Sequence, residues 1–290
     1  MYNAHLITRR TCAGKLIVYS FLLGLTLFLT TVSSRAQGNL LVFPKRIVFE
    51  DGKKSQVINL TNTGKDTAQY DISFVQIRMK DDGMFENISQ PDEGQMFADT
   101  FIRFFPRTVR LAPNESQVVK VQLTKASELK PGEYRSHLYF RAEPSKNSAL
   151  KNSNAKSDST SLAVHITTVF GLTIPSIIRV GESNTEVSLS NLAFTRIHDS
   201  IPAIKMEFDR TGNMSVYGDI TVNYISPSGK ITRVGEVKGL AVYTPGNVRR
   251  CTIKLNQPKD VDYSSGKLSV TYSSEADEKS EMLVKAEVTL

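Results

Sequence analysis

The residue types that do chemistry are few in this chain and scattered. His137, His165 and His198 stand on separate stretches, and no cysteine or carboxylate cluster joins any of them at metal-ligand spacing. Cys251 lies in Val248-Arg-Arg-Cys-Thr-Ile-Lys-Leu, where alternation places it with Ile253 and Leu255; a small buried hydrophobe is expected there, not a nucleophile. Asp81-Asp82-Gly83 has no further spaced oxygen ligands and predicts a hairpin turn rather than a calcium loop. There is no Gly-x-Ser-x-Gly elbow, phosphate-cradling glycine loop or nucleotide fingerprint. The reading is of a non-enzyme with no catalytic residue, no metal and no cofactor. What remains is recognition, and the residue best suited to it is Arg46 in Arg46-Ile-Val-Phe-Glu-Asp-Gly. Its guanidinium can fork onto a carboxylate through two parallel hydrogen bonds. The plain alternative is an arginine held out in solvent on a strand.

The start of the chain says where such recognition takes place. Arg9, Arg10 and Lys15 precede an uncharged run from Leu16 to Val32, and Ser34-Arg35-Ala36 follows with small residues where a signal peptidase reads. Residues 1–36 are therefore expected to be a cleaved secretory signal, with no stable membrane insertion afterwards. The remaining chain of about 250 residues is long enough for two domains of about 100–150 residues. Four cations and no acid leave with the signal, which lowers the formal charge from +7 to +3. Lys, Arg, Asp and Glu are interspersed in what is left, so no basic stripe for nucleic acid forms.

The elements that must position Arg46 are strands. Period-two alternation recurs at 56–60, 70–77, 117–123, 134–140, 162–174, 219–225 and 267–272, and helical periodicity is almost absent. Turn chemistry falls between these runs, as at Pro113-Asn114, Pro131-Gly132 and Pro227-Ser-Gly229. The fold class is all-β, with two immunoglobulin-like β-sandwich domains after the signal peptide: residues 37–175, then 176–290. Residues 144–161, rich in Ser, Asn and Lys, read as a mobile loop before the first domain's last strand. Leu111, Val119, Val121, Leu138 and Phe140 are the expected core, and Tyr217 is expected to pack without a binding role.

Arg46-Ile-Val-Phe-Glu-Asp-Gly, Arg110-Leu-Ala-Pro with Ser116-Gln-Val-Val-Lys-Val, and Gly132-Glu-Tyr-Arg-Ser-His-Leu-Tyr-Phe together resemble the first domain of the PapD-like periplasmic pilus-assembly chaperones. The resemblance covers roughly residues 40–175. It implies two immunoglobulin-like domains and an edge strand lent to an unfinished, secreted β-rich (pilin-like) subunit, with a cleft cation holding that subunit's terminal carboxylate. Arg46 stands in the place of the family's first-strand arginine. Counted back from Pro175, taken as the proline that opens the hinge, Phe170 occupies the place of a second cleft cation. The same count puts Arg135 and Ile174 where the family carries an acid and an arginine of its interdomain salt bridge, so that bridge is expected to be missing.

The lent strand falls on the run before Pro175. Leu162, Val164, Ile166 and Phe170 share one parity with Leu172 and Ile174. With Arg46, the first four are the candidate partner-binding residues. An ungapped match assigns the donated side chains to the other parity, so either a one-residue bulge shifts the register or the apolar face is the domain's own core. The functional expectation is a periplasmic chaperone-like protein, with self-association through the free edge compatible with the same surface. The alternative is a structural or surface protein, an adhesin or envelope assembly component, in which the strands serve only their own cores.

Overall fold

The computed structural model describes residues 40–50, 52–143, 169–274 and 281–290. Alternating apolar residues pair into strands almost everywhere, and the only helical turn among the described residues is a short 3-10 turn at Ala126–Glu128. No described helix is long and apolar enough to cross a membrane.

The first sandwich holds eleven of the strands in its two sheets and one hairpin. They are β1 (Leu40–Phe43), β2 (Ile47–Phe49), β3 (Ser55–Asn62), β4 (Ala68–Val75), β5 (Ile77–Met79) and β6 (Phe85–Asn87), then β7 (Ile102–Phe105), β8 (Thr108–Leu111), β9 (Ser116–Leu123) and β10 (Gly132–Ala142); β11 (Gly171–Val180) completes it. One sheet runs β1-β3-β9-β7, the other β2-β11-β10-β4-β8, and β5-β6 stands apart as the hairpin. Leu111, Val119, Val121, Leu138 and Phe140, expected in the core, are all fully buried between the two sheets. The second sandwich is built from β12 (Glu186–Ile197), β13 (Ile201–Thr211), β14 (Val216–Ile225), β15 (Ile231–Val242), β16 (Val248–Lys254), β17 (Lys267–Ser274) and β18 (Met282–Thr289). Its sheets run β12-β13-β16 and β15-β14-β17-β18, closing over Phe208, Val222, Val270 and Tyr272. The chain thus forms two β-sandwich domains.

Strand β11 runs on past Pro175, where the domain boundary is expected. Pro175 lies in the middle of β11, opposite His137 of β10, and the chain leaves the sheet only at Gly181, which adopts a φ of 81°. Ala142 N–H donates to the Phe170 carbonyl at 2.8 Å, so in the antiparallel ladder the even residues of β11 bond to β10 and the odd residues point their amides away. Pro175 is odd, so its missing N–H takes no bond from the ladder. A proline on the outer edge of a strand does not end it.

Candidate functional site

The site is the face that the first sandwich turns toward the second. Three strands lie side by side in the order β2-β11-β10, and alternation gives each a core side and a cleft side. Ile47 and Phe49, Ile174 and Ile178, and Leu138 and Phe140 fill the first core. The opposite parity forms the cleft wall. The register aligns Glu133 with Arg179 and Arg135 with Ile177, and sets His137 level with Pro175. The parallel pairing of Ser176–Ile178 with Ile47–Phe49 places Arg46 level with Pro175, one residue before β2 begins.

Glu133 is the hub of this wall. Its buried carboxylate accepts the Ser215 N–H at 3.0 Å, the Ser215 hydroxyl, the Thr244 hydroxyl at 3.2 Å and Arg179 Nε at 3.2 Å. Arg179 also donates to the Ser215 carbonyl at 2.8 Å and reaches Glu50 at 3.4 Å. Ser215 and Thr244 belong to the second sandwich, so an acid and an arginine of the first bind the two domains together. Both charges of this pair belong to the first sandwich, and the second answers them with Ser215 and Thr244 rather than with a charge of its own, so the joint is held in another way than by an ion pair between the domains.

Arg135, buried one row away, stacks on the Tyr243 ring at 4.4 Å. It donates to the Thr244 carbonyl at 3.0 Å and to the Ile77 carbonyl at 3.4 Å. Burial lowers its pKa, as expected when an ion leaves water. His137 sits between the rings of Phe85 and Tyr243, at centroid distances of 6.0 and 6.2 Å. Burial first, and then the positive charge of Arg135, push its pKa down to about 3, so it is a neutral structural histidine.

Arg46 differs from both of its neighbours. Its guanidinium lies 4.1 Å from the centre of the Tyr217 ring, a cation–π contact made across the cleft. Among the described residues it makes no ion pair, and its Nε is buried without a hydrogen-bond acceptor. Burial lowers its pKa, aided by the nearby charge of Arg179 and opposed by Tyr243, Tyr217 and Glu133. Tyr217, expected only to pack, is the half-buried floor beneath it. A partly desolvated cation with an orphaned donor leaves hydrogen-bonding capacity unused.

Beside Arg46 the edge of β11 is open. β2 covers only Ser176–Ile178, because at Arg46 the chain turns away toward β1 in the opposite sheet. Among the described residues no strand pairs with the outer side of Gly171–Pro175. Of the candidate partner-binding residues, the structure brings Arg46 to the end of this edge and places Phe170 half-buried at the start of β11. Leu162, Val164 and Ile166 lie outside the described residues. Leu172 and Ile174 of the same parity pack on or into the first core. Glu133, Arg179, Tyr217 and Tyr243 were not anticipated as site residues. The one sequence signal for the first of these was the polar parity Glu133, Arg135, His137 against the apolar Tyr134, Leu138, Phe140.

Cys251 is half-buried against the second core, and burial pushes its thiol up to about 11. Among the described residues no group of three or more His, Cys, Asp and Glu is placed to hold a metal.

Residues 47–154 match the family model for an Fn3-like domain, which spans most of the first sandwich and ends before β11. No curated protein sequence matches the chain. Among solved structures it is similar to a chain of the CsuC–CsuE chaperone–tip subunit complex of Acinetobacter baumannii, at 13% identity and a TM-score of 0.43, covering 86% of this chain and 98% of that one. It is also similar to the CupB2 chaperone of Pseudomonas aeruginosa, at 13% identity, TM-score 0.38 and coverages of 86% and 98%. A third similar structure is a chain from the complex of SafA pilin with the SafB chaperone of Salmonella enterica, at 11% identity, TM-score 0.40 and coverages of 89% and 99%.

Proposed function

We propose that this protein is an exported, periplasmic chaperone-like protein that shields a secreted β-rich subunit by pairing it with the open edge of β11, and that Arg46 holds the subunit's C-terminal carboxylate. The first domain in this reading runs to about residue 181. The observation that carries it is the coincidence of a strand edge, Gly171–Pro175, that no described strand covers, with a guanidinium at its end that makes no ion pair among the described residues and has a buried, unpartnered Nε. Unpaired amides supply generic affinity for any extended segment, and a charge at one end sets where that segment stops.

The geometry also favours one direction for the incoming strand. β2 runs parallel to β11 and begins where the open edge ends, at the level of Arg46. A strand entering parallel to β11 arrives at Arg46 with its C-terminus. An antiparallel strand that ended there would bring an ammonium against a guanidinium, which like charges oppose. The resemblance at residues 46–52 and 106–140 supports the same reading, as does the signal-like start of the chain.

The test is recovery of a secreted β-rich partner with the tagged mature protein. Arg46→Ala is expected to weaken the complex by about 1.5–3 kcal/mol, the range for a charged hydrogen bond, or about ten- to hundredfold in affinity. Unchanged recovery removes the carboxylate role. A wild-type protein that recovers no partner when expressed with the products of its neighbouring genes removes the chaperone reading and favours the two-domain structural protein.

A further inference from the structure

The hairpin β5-β6 belongs to the first sandwich by chain order, yet it is built into the second. Its base is fixed at home: Arg78 grips Asp92 with two hydrogen bonds of 2.5 and 2.7 Å, and Ile88 N–H donates to the Gln76 carbonyl at 3.0 Å. Its far part is fixed across the joint. Met79 is buried among the core residues of the second sandwich. The Asp81 carbonyl accepts the Arg250 N–H of β16 at 2.5 Å, which adds one rung to the β12-β13-β16 sheet. Gly83, at a φ of 80°, lies against the Arg249 guanidinium, where a Cβ would come within 2.9 Å of Nε and Nη2; that guanidinium donates in turn to the Ala241 carbonyl.

We infer that this hairpin is a strap that locks the two sandwiches at one angle, with Met79 and Gly83 as positioning residues that keep Tyr217 beneath Arg46. A single contact between two rigid bodies leaves rotation free. Glu133 with Ser215 forms one contact, and the hairpin forms another beside His137, four residues further along β10, about 13 Å at strand rise. Arg135 lies between them and joins all three parts, through the Ile77 carbonyl of the strap, the Thr244 carbonyl and the Tyr243 ring. The apolar seat of Met79 does most of the holding; the exposed Arg250–Asp81 pair at 3.4 Å adds little. The consequence for partner binding rests on the proposed function, but the lock itself does not.

The experiment places spin labels at Lys120→Cys and Ile231→Cys, both exposed, on a Cys251→Ala background of the mature protein, and reads their distance distribution by pulsed electron resonance without any partner. The wild-type strap gives one narrow distance. Met79→Asp at least doubles the width while the far-UV dichroism stays that of two folded sandwiches, and Met79→Leu keeps the narrow distribution. If Met79→Asp does not fold, a shortened hairpin with Arg78–Glu86 replaced by Gly-Gly decides. A broad wild-type distribution overturns the strap, and so does a narrow one that neither the Asp variant nor the shortened hairpin widens. Because no partner takes part, failure here leaves the role of Arg46 to its own test.

Discussion

Arg179 and Arg46 line the same cleft face, two rows apart, and do opposite things with their donors. Arg179 spends them on two carboxylates and a carbonyl, closing the joint between the domains. Arg46 has a tyrosine ring beneath it and no ion-pair partner among the described residues, Glu133 acting on it only through its nearby charge. A half-buried guanidinium with its partners in place is part of the architecture, whereas one without them keeps donors unused. The contrast sets a charge satisfied within the fold against the one the proposed function uses, and each prediction below either breaks it or makes it sharper.

The largest effect is expected at Glu133. Replacing it with Ala leaves Arg179, Ser215 and Thr244 facing an empty position, and breaking a buried pair in this way costs about 3–5 kcal/mol in urea unfolding of the mature protein. Arg46→Ala removes a cation that has no internal partner, so its stability should stay within about 1 kcal/mol of wild type, the size of a cation–π contact. Equal losses in the two variants would erase the distinction.

Acid should act on the same joint through His137. Its pKa is about 3 in the folded protein against 6.5 when released, so below pH 6.5 the unfolded chain binds a proton that the folded one refuses. Stability then falls with decreasing pH from about 6.5 until about 3. The loss from this group approaches about 1.4 kcal/mol per pH unit, roughly 2–3 kcal/mol by pH 4.5. Denaturant titrations at pH 7 and 4.5 should show this loss in wild type and a smaller one in His137→Gln.

How much of this could be read in advance depends on whether the information is local. The buried Val119, Val121, Leu138 and Phe140 were legible because alternation is a property of neighbouring residues, and a strand with one apolar parity has one way to face a core. Arg46 was singled out by its immediate context, and its role is the proposal above. The Glu133–Arg179 pair was not, because its partners are 46 residues apart and only the register of β10 against β11 brings them level. Pro175 misled for a related reason. Whether a proline ends a strand or sits harmlessly on its edge depends on which side the neighbouring strand lies, and nothing in the residues around it reveals that.

The same edge logic gives the smallest expected effects. Leu172 points its amide into the ladder opposite Phe140, so Leu172→Pro orphans a carbonyl and costs roughly 1–3 kcal/mol. Thr173 points its amide outward, so Thr173→Pro should fold within about 1 kcal/mol of wild type and weaken only the pairing with a partner. Thermal or urea unfolding of the two variants side by side reads the difference.

The open edge itself is tested most directly by amide hydrogen exchange along β11 in the free mature protein. The account predicts a period-two pattern: slow exchange at Leu172 and Ile174, whose amides bond to β10, and fast exchange at Gly171 and Thr173, whose amides face no strand among the described residues. Equal protection at all four amides would mean that the edge is already paired within the chain, and would contradict it.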